Sequence, residues 1–512
     1  MRKRIFFIAF ILFYFLIATE TIFRLWHHYS LNSFTLVSTS HSPNASQENF
    51  NLSAPYIFAL TSAADANLHW YRESPKETSR RFNTTRELKQ RWHPNPGIVS
   101  DFAYNFNLVR KAVCTHATDY NSNLITSILQ KLQSIYVYYP KSAALNPPFR
   151  LLPNKVYPGE NREPGGYVTN SFGFLSPEIS IKKPAQTIRI AFVGSSTTAD
   201  EGSYPHRFSD LIEHWLNLWA EQQRLSLRFE TINAARGGLT STDIAAIVRD
   251  EILPLQPDLI LYYEGANQFW PFQFLQIPSD FKIGQEIQPL HHYTKHSIIK
   301  YSALAEWVEN LFIYHDCKGG FELDKPYFSS TWPAAFNATQ LNLANPNLPL
   351  NLSIILNDWN HIRDAAHEIQ AEFIPLSFIW YSHANMTLTI PQNYALWQSL
   401  NRGFWPANYA WIEQMAAFQN RVFRQYAQDQ HLNFIDIASV YPKNPDFFVD
   451  AVHMTYEGSR LRAWIIYNKL LPLLQRKIAN KELPKTLRKI PFTPMQTTSS
   501  LLTLKQITAM CK

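Results

Sequence analysis

The chain has 512 residues, of which 46% are hydrophobic and 14% aromatic, so most of it should fold, as one large domain with additions rather than as several small ones. A net charge of +7 is modest at this length, and Lys and Arg are scattered apart from the first four residues and short clusters such as Arg80-Arg81; no basic stripe points to nucleic acid. Three cysteines, Cys114, Cys317 and Cys511, are too few for a disulfide scaffold and are spaced unlike a metal site, although an oxidising compartment would permit one bridge, for which Cys114 with Cys317 is the favoured pair.

The first element is membrane-like. Met1-Arg-Lys-Arg4 leads into IFFIAFILFYFLIA at 5–18, and apolar residues resume at Ile22 and Phe23. Positive charge ahead of an apolar run holds the N-terminus in the cytoplasm and sends the remainder across the membrane. A cleaved signal peptide is the rival, but LIATETIF puts Thr and Glu where the cut should lie. The expectation is a cytoplasmic stub and uncleaved signal anchor over 1–26, then a Ser-, Asn- and His-rich tether over 27–54. Residues 55–180, rich in aromatics and prolines with a helix near 121–135, are expected to form an accessory region packed on the main domain.

From residue 188 strands and helices alternate. Apolar runs at 188–193, 228–233, 257–263, 373–381 and 432–438 read as five strands; helical patterns fall at 206–223, 241–252, 358–371, 408–429 and 456–475. Such alternation predicts an α/β fold, a central parallel five-stranded sheet covered on both faces. The domain is expected over 181–478, interrupted by an insertion at 271–357 whose stretch 337–353 looks like surface loop, and followed by a tail at 479–512.

Polar residues collect at the ends of these strands. The first strand runs into Gly194-Ser195-Ser196-Thr197-Thr198, and in open α/β sheets ligands bind beyond the carboxyl ends of the strands. In the plainest reading Gly194 takes a difficult backbone conformation and a hydroxyl residue caps the next helix. In the chemical reading Ser196 is a nucleophile. The second strand ends in INAARGG, where Gly237 and Gly238 let a backbone N–H approach a ligand; the third in YYEGANQ, where the Asn267 amide can donate; the fifth in DAVH, with Asp450 three residues before His453. That last spacing lets a carboxylate hold one imidazole nitrogen while the other faces a hydroxyl. Singly these are a loop, a turn residue, a helix cap and a surface histidine. Together, in order and each after a strand, they point to acyl transfer.

Here the chain resembles the SGNH (GDSL-like) hydrolase superfamily, whose four blocks supply Ser, Gly, Asn and His in that order on a flavodoxin-like three-layer α/β/α sheet fold. The resemblance spans about 188–475. It implies Ser196 as nucleophile, His453 and Asp450 completing the triad, and an oxyanion hole from Ser196, Gly238 and Asn267, with no cofactor and no metal. The segment YVTNSFGFLSPE at 167–178 resembles one that precedes the catalytic block in membrane-anchored bacterial members. Two positions depart from the pattern: Ser195 stands where the family usually has Asp before the nucleophile, and Gln268 where an Asp often follows the block-three Asn. Only Ser196 is expected to face the imidazole, so Ser195→Ala should leave most of the activity.

The expected function is a serine esterase acting outside the cytoplasm on an acylated glycan or lipid. The alternatives are an O-acyltransferase of an envelope polysaccharide, a non-catalytic binding module of the same shape, and a metal site at His292 and His296 of HHYTKH. Tyr262, Tyr263, Phe269 and Trp270 are candidates for stacking on sugar faces, although such aromatics more often belong to the core.

Overall fold

A computed structural model describes residues 52–75, 166–269, 333–384 and 407–485 with a few one- to five-residue breaks, together with 136–137, 150–151, 156–158 and scattered residues between 386 and 404. The predicted anchor, the helix at 121–135, all three cysteines, His292, His296 and Trp270 lie outside the described residues. Among those described, no helix is long and apolar enough to cross a membrane.

The centre is a parallel sheet of β1 (Thr187–Gly194), β2 (Arg228–Asn233), β3 (Leu259–Tyr263) and β4 (Glu372–Pro375) in the order β2-β1-β3-β4. Each pair is parallel, with Ala191 opposite both Ile232 and Ile260, and Ile260 opposite Phe373. The two middle strands are buried throughout, which accounts for their nearly unbroken apolar sequences. The exception, Arg189, is fully buried but pairs with Glu230 at 3.0 Å on the adjacent strand.

Among the described residues the sheet has four strands rather than the expected five. The predicted fifth strand is reduced to one parallel bridge, Leu376 with Ile435. Ile435 N donates to Pro375 O at 3.2 Å and Ser377 N donates to Ile435 O at 3.1 Å. Pro375 faces this segment and has no N–H to give it, so the ladder stops where the chain still runs alongside.

Helices cover both faces. α1 (Ala54–Leu60) precedes the sheet; α2 (Ser196–Ala199) is the single turn after β1, and α3 (Phe208–Gln222) returns the chain to β2. α4 (Ser241–Ile247) is drawn on by a π-turn at Val248–Ile252. α5 (Leu352–Glu368), α6 (Tyr409–Asp429) and α7 (Tyr456–Ala479) follow. α3 packs with α7 on one face, and α4 with α5 on the other, where α6 joins α5. α5 begins six residues before its predicted start, inside the expected insertion. The stretch predicted as surface loop is docked: the Gln425 side chain of α6 accepts from Leu341 N at 3.0 Å and donates to Leu341 O at 2.8 Å, and Leu348 and Leu350 are buried.

Residues 52–75 lie against α7. Glu457 in its first turn accepts from Ser53 N at 2.8 Å and Ser53 Oγ at 2.9 Å. Arg460, 1% exposed, donates to Tyr71 O at 2.7 Å, Glu73 O at 2.8 Å and Ser74 Oγ at 3.0 Å. Its guanidinium also sits over the Tyr71 and Trp215 rings. Trp464 Nε1 donates to Thr61 Oγ1 at 2.9 Å. α7 thus binds the segment that precedes the sheet while its own N-terminus carries the loop with His453.

Candidate active site

Between Thr187 and Asp200 every residue is buried except Ser196. The buried strand therefore delivers one hydroxyl to the surface, at the first position of α2. N–H groups at the start of a helix have no carbonyl ahead of them within it, which makes this turn suited to a developing negative charge. Gly194 is required for space rather than for an unusual backbone angle. A Cβ there would lie 2.1 Å from Thr198 Oγ1 and 2.3 Å from Tyr263 O.

His453 Nε2 lies 2.8 Å from Ser196 Oγ, and its Nδ1 lies 2.6 Å from Asp450 Oδ2. The other Asp450 oxygen accepts from Val452 N at 2.8 Å and His453 N at 2.7 Å, which fixes the carboxylate relative to the ring it orients. Burial works to raise the Asp450 pKa. The hydrogen bond and charge of His453, with the N–H groups of His453 and Val452, outweigh it and hold the carboxyl below its ordinary range. An anionic Asp450 accepts a hydrogen bond from Nδ1–H and so fixes that tautomer, which leaves Nε2 with a lone pair toward the serine. These are the contacts a proton transfer from Ser196 requires.

The chain around α2 is held from a distance. Asp200, just beyond it, accepts from Phe208 N at 2.9 Å, Ser459 Oγ at 2.5 Å and Arg462 Nη2 at 2.9 Å. Arg462 also donates to Thr197 O at 2.8 Å, and its guanidinium lies over the Phe208 and Tyr263 rings. Arg462 and Ser459 belong to α7, so one helix steadies the Ser196 turn and follows directly from the His453 loop.

Ser195 is not a helix cap, since its side chain makes no capping bond. It is fully buried, donates to Arg236 O at 3.2 Å, and accepts from Leu239 N at 2.9 Å and Asn267 Nδ2 at 2.6 Å. One small hydroxyl thus ties together the ends of β1, β2 and β3. Asn267 gives its other N–H to Leu239 O at 2.7 Å, so its amide reaches an oxyanion only by giving up one of these two bonds. Gly238 has φ 72°, a conformation that favours glycine, and stands partly exposed beside this junction. Gln268 holds the start of α4, its Oε1 accepting from Ser241 N at 2.7 Å.

Tyr262 and Tyr263 are buried core residues, 0% and 1% exposed, and have no face for a sugar. Phe269 is buried as well, packed on Trp380 at 4.3 Å between ring centroids.

One ionisable group here was not among the sequence candidates. Glu264 ends β3 in YYEG and is 3% exposed. Its Oε1 accepts from Ala266 N at 2.7 Å and Asn267 N at 2.8 Å, while Oε2 has no partner among the described residues. Burial raises its pKa from 4.5 to about 7, against the pull of the Asn267 and Ala266 N–H groups and the His453 charge. The signal available in the sequence is a lone acid between a buried strand and a glycine turn. Between pH 4.5 and about 7 the unfolded carboxyl is ionised while the folded one keeps its proton, so stability falls as pH rises through that window. Glu264→Gln removes this cost. Its stability relative to wild type, from urea unfolding, should be greater at pH 8 than at pH 5, by on the order of 2 kcal/mol; an equal offset at both pH values would count against the buried ionisation.

No family model matches the chain, and no curated protein matches it. Solved structures overlap it in part. An acetyl xylan esterase is 13% identical, covering 55% of this chain and 98% of its own, at a TM-score of 0.30. A lipase/acylhydrolase from Enterococcus faecalis is 15% identical over 59% of this chain and 99% of its own, at 0.28. A GDSL-like lipase from Bacteroides thetaiotaomicron is 11% identical over 58% and 92%, at 0.28.

Proposed function

We propose that the chain is a serine esterase of the SGNH type that cleaves an ester-linked acyl group. The observation that carries this reading is the line from Ser196 Oγ through His453 to Asp450, at 2.8 and 2.6 Å, around a serine that alone among its neighbours reaches the surface. His453 Nε2 takes the hydroxyl proton as Ser196 Oγ bonds to the ester carbonyl carbon. The imidazolium then passes the proton to the leaving alcohol as the C–O bond breaks. Water repeats the sequence on the acyl-serine, releasing the acid and restoring Ser196. Ser196 N and Gly238 N serve the oxyanion, and Asn267 joins them when substrate displaces one of its two bonds.

Labelling with a fluorophosphonate tests the reading. The full-length chain should take one label, on Ser196, at a rate that rises with pH through a single main transition near or somewhat above the ordinary imidazole value of about 6.5. His453→Ala should abolish it. Label that survives His453→Ala, or that resides on another serine, sinks the assignment.

The proposed location is outside the cytoplasm, with Arg2, Lys3 and Arg4 retaining the N-terminus inside. In that setting the substrate is an acylated glycan or lipid. Alkaline phosphatase fused after residue 60 should be active; an active cytoplasmic reporter at the same point would reverse the topology.

A further inference from the structure

We propose that Glu264 is a positioning residue of this site, its carboxyl oxygen shaping the turn from which the Asn267 amide reaches Ser195. The proposal rests on the acyl-transfer reading above. The path is short and every link is a hydrogen bond. Glu264 Oε1 gathers Ala266 N at 2.7 Å and Asn267 N at 2.8 Å, folding the chain back just beyond β3. The turn so formed puts Asn267 Nδ2 2.6 Å from Ser195 Oγ, and Ser195 is the residue before the nucleophile. Gly265, inside the turn, leaves no room for adjustment. A Cβ there would lie 2.8 Å from Phe378 and 3.0 Å from Gln419 Oε1, and Gln419 Nε2 donates to Gly265 O at 2.6 Å. A turn confined on that side keeps its shape only while its N–H groups have an acceptor.

A neutral amide acceptor would suffice for shape, so the acid asks for a further reason. The charged and titratable groups around Glu264 are His453 on the loop before α7, Tyr262 and Tyr263 on β3, Asp358 across Tyr262 on α5, and Arg462 across Tyr263 on α7. Of these, His453 is the group whose charge changes during the proposed reaction. Once ionised, at about pH 7 and above, the Glu264 carboxylate favours the imidazolium, and so raises the pH at which His453 becomes a competent base. Glu264 thus acts on the site twice, through the backbone of the Asn267 turn and through the field at His453.

The test is the rate of fluorophosphonate labelling of Ser196 in the full-length chain, from pH 5 to pH 9, for wild type, Glu264→Ala and Glu264→Gln. Glu264→Ala leaves two N–H groups without their acceptor and should label about tenfold or more slowly. Glu264→Gln keeps the acceptor, so it should recover most of that loss at high pH, with the midpoint of its profile moved to lower pH. A purely structural side chain would not move the midpoint. If Glu264→Ala fails to fold, as judged by circular dichroism, the Glu264→Gln midpoint alone decides. An unmoved midpoint, or Glu264→Ala labelling at the wild-type rate, overturns the role of Glu264 and leaves the esterase reading standing. A wild-type chain that takes no label on Ser196 overturns both.

Discussion

On the acyl-transfer reading, Ser196→Ala should lower hydrolysis of p-nitrophenyl acetate by about 10⁴-fold or more, because loss of the proposed nucleophile removes the acyl-serine route altogether and leaves only what oxyanion donors and binding supply. Ser195→Ala behaves differently. From sequence it was expected to keep most of the activity. In the fold, its loss strips Leu239 N and one Asn267 N–H of an acceptor in a buried junction. An unmet buried donor costs about 1–3 kcal/mol, which corresponds to roughly ten- to a hundredfold if it falls on the transition state. The expected order is therefore wild type, then Ser195→Ala well below it, then Ser196→Ala near background. Steady-state rates on the three purified proteins check it, and a Ser195→Ala enzyme slower than Ser196→Ala would move the nucleophile by one residue.

Gly194→Ala should weaken the fold at the strand ends that carry Ser196. Its Cβ would meet Tyr263 O at 2.3 Å, and that oxygen is backbone of the adjacent strand, in register with Gly194 itself. The same methyl would lie 2.1 Å from Thr198 Oγ1, which already donates to Tyr263 O at 2.5 Å. A rotamer change at Thr198 relieves one contact and leaves the other, so β1 and β3 must part at the strand ends that carry the site. Overpacking of this kind costs about 1–3 kcal/mol or more. Urea unfolding should show a midpoint lowered accordingly, with labelling of Ser196 lost even where the protein remains folded. An unchanged midpoint together with normal labelling would refute the steric argument.

The parts of this site open to sequence reading are those in which neighbouring residues, or the end of a strand, carry the information. Asp450 and His453 are three residues apart, and Ser196 follows an apolar run that must stop somewhere. Ser195 is different, since its partners stand 44 and 72 residues away and nothing local distinguishes a tying hydroxyl from a cap. Asp200 and Arg462 are 262 residues apart, and neither looks unusual until the fold sets them 2.9 Å from each other. Tyr262 and Tyr263 read ambiguously because two adjacent aromatics at a strand end suit both a core and a binding face; parallel neighbours on both sides of β3 bury them. The fifth strand was overcounted because its apolar pattern is genuine, while its pairing depended on a neighbour that happens to be Pro375.

The grip of α7 on residues 52–75 bears on where the molecule can be cut. A fragment begun at residue 181, where the strand and helix alternation is about to start, would carry Ser196, Asp450 and His453. It would also strip Arg460 of the Tyr71, Glu73 and Ser74 oxygens, and take from Glu457 its bonds to Ser53. A guanidinium that is 1% exposed in the intact fold would then face a bare groove one helical turn and a half from the His453 loop. Removal of acceptors from a buried cation is among the costlier losses a fold can suffer. The smallest autonomous unit around Ser196 therefore includes a stretch more than a hundred residues upstream of β1.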